Sequence, residues 1–148
     1  LKLFFSKEGK RIVCGGTTAA IVSKYLNAKL RMESDSSDPD IPAIGYIKGV
    51  DLVTEGVLTI EKVLELARRY TSARCFSTDW KGKKDGASQI ARVLFEEATD
   101  INLFVGKAVN PTHENPDISI NMTVKMDIIK KLENYLELMG KKVKISYC

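Results

Sequence analysis

The sequence predicts an α/β fold: three layers, with a mainly parallel sheet of about five strands and helices on both faces, Rossmann-like in outline. Three observations point there. Short apolar runs alternate in order with stretches of 3.6-residue periodicity. The first such run passes through a glycine pair into a helix. Read as βαβ units, these elements imply right-handed crossovers, which place helices on both sides of a parallel sheet.

The first residues, Leu1-Lys2-Leu3-Phe4-Phe5, read as the last turn of a helix, and with no initial methionine the chain reads as the C-terminal fragment of a longer protein. The first strand follows at Lys10 to Cys14. Gly15 and Gly16 then turn the chain, and Thr17 or Thr18 caps a helix running to Asn27. A second strand covers Lys29 to Glu33. The segment from Ser34 to Gly45, with Pro39, Pro42 and an Asp/Ser cluster, reads as irregular, and at that length as a loop that lines a site.

Val50 to Thr54 reads as the third strand, and Glu55-Gly56 turns it into an amphipathic helix from Leu58 to Tyr70. A loop from Ser72 to Lys84 carries the single tryptophan, Trp80. Asp85-Gly86-Ala87-Ser88 caps the next helix, which extends through Ala98. Ile101 to Gly106 is a strand, Lys107 to Asp117 a loop, Thr123 to Met139 the last helix, and Lys142 to Tyr147 the last strand after the stop at Gly140.

At 148 residues and 44% hydrophobic, the chain suits one domain with its own core. No apolar run reaches the roughly 20 residues of a membrane helix, and the start is too short for a signal peptide, so the expectation is a cytoplasmic protein. A net charge of +4, with both signs intermixed, does not indicate nucleic-acid binding. Cys14, Cys75 and Cys148 are odd in number and widely spaced; with one histidine and no Cys-x-x-Cys they form neither a disulfide framework nor a metal site, and no cofactor is expected. Cys14 reads as a small buried hydrophobe sooner than as a reactive thiol.

In folds of this type ligands bind beyond the carboxyl ends of the strands, and the unusual residues of this chain gather there. Gly15, Gly16, Thr17 and Thr18 can offer free amide groups and the positive end of a helix to an anion. The spacing is neither that of a dinucleotide turn nor that of a P-loop, and a tight turn without ligand is the plain alternative. Glu33 stands about 20 residues beyond the glycines, where an acidic residue accepts ribose hydroxyls in dinucleotide folds. Thr54 and Glu55 end the third strand, and Glu55 is a candidate base. The loop Asn110-Pro111-Thr112-His113-Glu114-Asn115-Pro116-Asp117 stiffens the only histidine between prolines, so Asn110, His113, Asn115 and Asp117 are candidate ligand groups and His113 a candidate proton-transfer residue.

Several of these segments together, namely Val13 to Ala19, Asp38 to Pro42 with Ile44-Gly45, Gly49 to Thr59, Asp85-Gly86-Ala87 and Asn110 to Asp117, carry a resemblance. The chain from Gly9 to Tyr147 resembles the C-terminal region that follows the phosphatase domain in some stage II sporulation protein E-like (SpoIIE-like) PP2C-type serine/threonine phosphatases. The resemblance implies an accessory α/β module of a signalling phosphatase whose catalytic domain this chain lacks. Asp85-Gly86 is without the context of that enzyme's metal-binding motif, so catalysis is not carried over to it. The expected partners are therefore a small anionic or nucleotide-like ligand and the attached phosphatase domain. Two alternatives stand beside this: an enzyme acting on a phosphorylated or nucleoside substrate through Glu55 or His113, and a structural module that forms a homodimer or docks a partner through its proline-bearing loops.

Overall fold

The computed structural model describes residues 1–33, 43–72, 79–107 and 117–148, with backbone alone for 117–121. In chain order the elements are α1 (Lys2–Ser6), β1 (Ile12–Cys14), α2 (Gly16–Leu26), β2 (Arg31–Glu33), β3 (Ile44–Tyr46), β4 (Leu52–Thr54), α3 (Val57–Thr71), α4 (Gly86–Ala91), β5 (Asp100–Val105), α5 (Asp117–Leu138) and β6 (Lys142–Tyr147). Between α4 and β5 the helix continues as a π-helical stretch, Arg92–Glu97.

The expected five-stranded, mainly parallel sheet is not what forms. A four-stranded sheet of order β1-β4-β3-β2 stands beside a two-stranded sheet of β5 and β6. In the larger sheet β1 and β4 are parallel, whereas β3 is antiparallel to both β4 and β2. Chain length explains the difference. A parallel return needs a dozen or more connecting residues, and residues 47–51 between β3 and β4 are too few, so that pair must turn back on itself. Where a 22-residue helix, α5, joins β5 to β6, the two strands are parallel over Asp100–Val105 and Lys142–Tyr147. Strand β3 lies partly within the segment expected to be irregular. At three residues centred on Gly45 it carries no period-2 signal.

Side chains alternate across β1 and β4 and divide the core. On one face Leu52 joins Val63, Ala67, Trp80, Ile90, Phe95, Leu132 and Leu136, with Ile12, Cys14 and Ile44 packed against them. Helices α3, α4 and α5 supply that layer. Val13 and Val53 point the other way, onto Ala19 and Val22 of α2, with Phe4 and Phe5 of α1 at the margin. Within α3, Thr59, Val63 and Ala67 recur every fourth residue and are buried, while Glu65 pairs outward with Arg68 and Arg69. The Arg68 hydrogen bond and the neighbouring guanidinium charges hold the Glu65 carboxyl below its usual value. No helix of the described residues is long and apolar enough to cross a membrane.

Candidate functional site

Because β3 reverses direction twice over, β2 runs with β1 and β4 once more. The carboxyl ends of all three strands therefore share one rim of the sheet. Cys14, Thr54, Ile44 and Glu33 form one cross-strand row on that rim. Three strand spacings separate its ends, roughly 14 Å at about 4.8 Å each.

At the β1 end of the row, Gly15 takes φ +108° and ψ 133°, a conformation that an L side chain resists, and its N–H donates to the Thr54 carbonyl oxygen at 2.8 Å. This conformation starts α2 two residues earlier than a Thr17 cap would. Gly15 is the N-cap, no side chain caps the helix, and Thr17 and Thr18 are exposed residues of its first turn. Next to it, α3 begins in the same way after Gly56, again without a side-chain cap and without an acid in its first turn. The two helix entries touch. A Cβ added at Gly56 would lie 3.5 Å from the Gly15 Cα, and one added at Gly15 would lie 3.8 Å from the Gly56 Cα.

The first ladder bonds of these helices are Ala19 N–H to the Gly15 oxygen and Ile60 N–H to the Gly56 oxygen. The amides of Gly16, Thr17 and Thr18, and of Val57, Leu58 and Thr59, precede them and are the free donors of two adjacent positive helix ends. Asp85 occupies the equivalent place on α4 and is satisfied within it, its Oδ2 accepting from Ser88 N–H at 3.0 Å. Gly86 behind it packs against Thr54.

Of the expected site residues, the structure brings Gly15, Gly16, Thr17, Thr18, Thr54 and Glu55 together at this point. Thr54 is buried and its Oγ1 donates to the Glu55 carbonyl oxygen at 3.0 Å; Glu55 itself is exposed. Glu33 shares the rim but stands at the far edge strand, exposed, within 3.5 Å of the Tyr46 hydroxyl. Asp117 is the first residue of α5, which starts earlier than the expected Thr123. Asn110, His113 and Asn115 lie outside the described residues, as do Cys75 and the segment 34–42. Gly56 reads in the sequence as a turn residue at the end of the third strand and does not stand among the candidate ligand groups. A glycine directly before a helix lacking Ser, Thr, Asp or Asn at its cap is the signal that was there to find.

Cys14, the residue before Gly15, is partly buried and free. Burial pushes its thiol up from the usual value, and a hydrogen bond with Thr54 opposes that only in part. It is thus a protonated thiol at neutral pH, not a nucleophile. Among the described residues no group of three or more His, Cys, Asp or Glu side chains is placed to hold a metal ion. A crevice of about 210 Å³ lies at the opposite end of β1 and β4, between Lys10, Asp51 and Arg92. Lys10 and Glu97, which both line it, form an ion pair, and it lies at the other end of the strands from the glycine pair. No family model matches the chain, and neither a curated protein nor a solved structure does.

Proposed function

We propose that this domain holds a small anionic or nucleotide-like ligand, in the first instance through a phosphate group, where α2 and α3 begin, and that its occupancy biases an attached SpoIIE-like protein phosphatase in the cytoplasm. The contact of Gly15 with Gly56 is the observation that carries the reading. It sets two uncapped helix entries side by side, and each contributes roughly half a positive charge together with its free amides.

Neighbouring chemistry supports a negative ligand. No acidic side chain occupies the first turn of either helix. The exposed residues Lys81, Lys83 and Lys84 lead into Asp85-Gly86, which abuts Thr54. A strand-end rim that includes exposed Glu55 and Glu33 offers acceptors for hydroxyl groups at the same time, which suits a sugar phosphate or nucleotide.

Calorimetric titration with inorganic phosphate, sugar phosphates and nucleotides tests this. Gly16→Asp is the informative variant, because a Cβ at Gly16 meets nothing within 4 Å and an acid in the first turn favours the helix. The variant should fold as the wild type does and lose binding through the added carboxylate. Absence of binding to any of these probes, or unchanged binding by Gly16→Asp, refutes the assignment.

A further inference from the structure

Strand β2 ends the four-stranded sheet, paired with β3 on one side. Among the described residues no strand pairs with its other side. Such an edge presents a row of N–H and C=O groups that a further strand can complete. All three residues of β2, Arg31, Met32 and Glu33, are exposed. Tyr46, which stands opposite Arg31 on β3, is exposed as well.

The order of these side chains selects the strand that fits. Opposite charges flank a single methionine. A second β2, laid antiparallel with Met32 opposite Met32, sets Arg31 of each copy against Glu33 of the other. Residues directly opposite on antiparallel strands attract when their charges differ and repel when they match. Arg31 and Glu33 are two residues apart and so share one face of the sheet, which lets both ion pairs form together beside Tyr46. Met32 lies on the other face, where a Cβ added at Gly45 would fall 2.7 Å from its Sδ. A parallel copy in the same register would instead set like charges side by side. The complementarity therefore belongs to one arrangement, with a two-fold axis through Met32 perpendicular to the sheet.

Strand β6, in the smaller sheet, carries the contrary pattern. Lys142 and Lys144 are both exposed and stand two residues apart on one face, the single-sign spacing that keeps sheet edges from pairing.

We propose that this domain forms a two-fold homodimer through its β2 edges, joining the two larger sheets into one of order β1-β4-β3-β2-β2-β3-β4-β1. Three residues a side make a small contact, so the dimer exchanges with monomer. The proposal does not depend on the anion reading, and the Glu33 carboxylate has acceptor sites for a guanidinium and a ligand hydroxyl together.

Sedimentation velocity of the unliganded domain over a concentration series, at low ionic strength, tests it. The wild-type sedimentation coefficient should rise with concentration toward that of a dimer. Arg31→Glu and Glu33→Arg each place like charges opposite one another at both pairs, and each should weaken the dimer about tenfold or more. The double variant Arg31→Glu/Glu33→Arg rebuilds the pairs with the signs exchanged and should return to within about threefold of the wild type. Both side chains are exposed, so urea midpoints should stay level across the set. A wild type that remains monomeric throughout, whether or not it takes up an added strand peptide, overturns the proposal. So does a dimer that survives both single reversals, or one that the double variant fails to recover.

Discussion

Gly86 is pressed against Thr54, so closely that a Cβ built on the glycine would fall 2.7 Å from the threonine Cγ2. Through this contact the entry of α4 is keyed into the end of β4, behind the point where α2 and α3 begin. Thr54 is 1% exposed and its hydroxyl is held by the Glu55 carbonyl oxygen, so the methyl has no room to turn aside. Gly86→Ala should therefore destabilise the domain by about 1–3 kcal/mol, the usual cost of overpacking, even though alanine is the better helix former. Urea midpoints measure this. Gly106→Ala, where the added Cβ meets nothing within 4 Å, should be nearly neutral, and Thr54→Ser in the Gly86→Ala background should recover part of the loss, as contacting sites couple.

The neighbouring glycines of the cradle should respond with opposite signs. Gly15 sits at φ +108° with its nearest would-be contacts at an ordinary 3.8 Å, so Gly15→Ala should cost about 1–3 kcal/mol through backbone strain alone. Gly16 lies inside α2 with open space around its Cα. Gly16→Ala should leave the domain as stable or more stable, by up to about 1 kcal/mol. Equal thermal midpoints for the two alanine variants would contradict the assigned cap position.

The parts of this fold legible in the sequence are those whose signals are local. The short apolar run Ile12-Val13-Cys14, the fourfold rhythm of Val63 and Ala67, and the Asp85 cap before Ser88 each sit within a few residues and each correspond to an observed element. Sheet order is a different matter, because it depends on a strand, Ile44–Tyr46, too short to show a period. Once that strand is missed, β4 reads as the next parallel strand after β2, and the sheet comes out mainly parallel. The sequence puts Gly15, Glu55 and Glu33 at one end of a parallel sheet, whereas in the structure it is two antiparallel reversals that return β2 to the direction of β1. The Gly15 to Gly56 approach depends on a distance between segments about 40 residues apart, which no local pattern encodes.

Trp80 anchors a segment that reads in sequence as an ordinary loop. It is 1% exposed, meets Tyr70 and Phe95 edge-on at 5.1 and 5.2 Å, and donates from Nε1 to Glu96 Oε1 at 2.9 Å. As the only tryptophan it reports on this cluster directly. Its emission should be blue-shifted and protected from acrylamide until the domain unfolds. Trp80→Ala should cost about 3–5 kcal/mol, the range for truncating a large core aromatic, and Trp80→Phe less, because Glu96 is exposed and can bond water instead.

The Cys14 thiol gives a pH-dependent stability whose sign follows from its environment. Burial raises its pKa above the usual value of 9.0, so the folded state holds this proton more tightly than the unfolded chain does. Stability from Cys14 is then fully present below the unfolded pKa, and falls as pH rises from that value up to the raised folded one, because only the unfolded chain releases the proton in that window. In a Cys75→Ser background the wild-type Cys14 should give a steeper alkaline loss of urea midpoint above about pH 9 than Cys14→Ala does. Labelling by a disulfide reagent at pH 8 provides the second check, with Cys148, which is exposed, reacting at once and Cys14 reacting only on unfolding. Fast modification of both thiols in the folded domain, or parallel alkaline profiles for the two proteins, would show that the end of β1 is open to solvent.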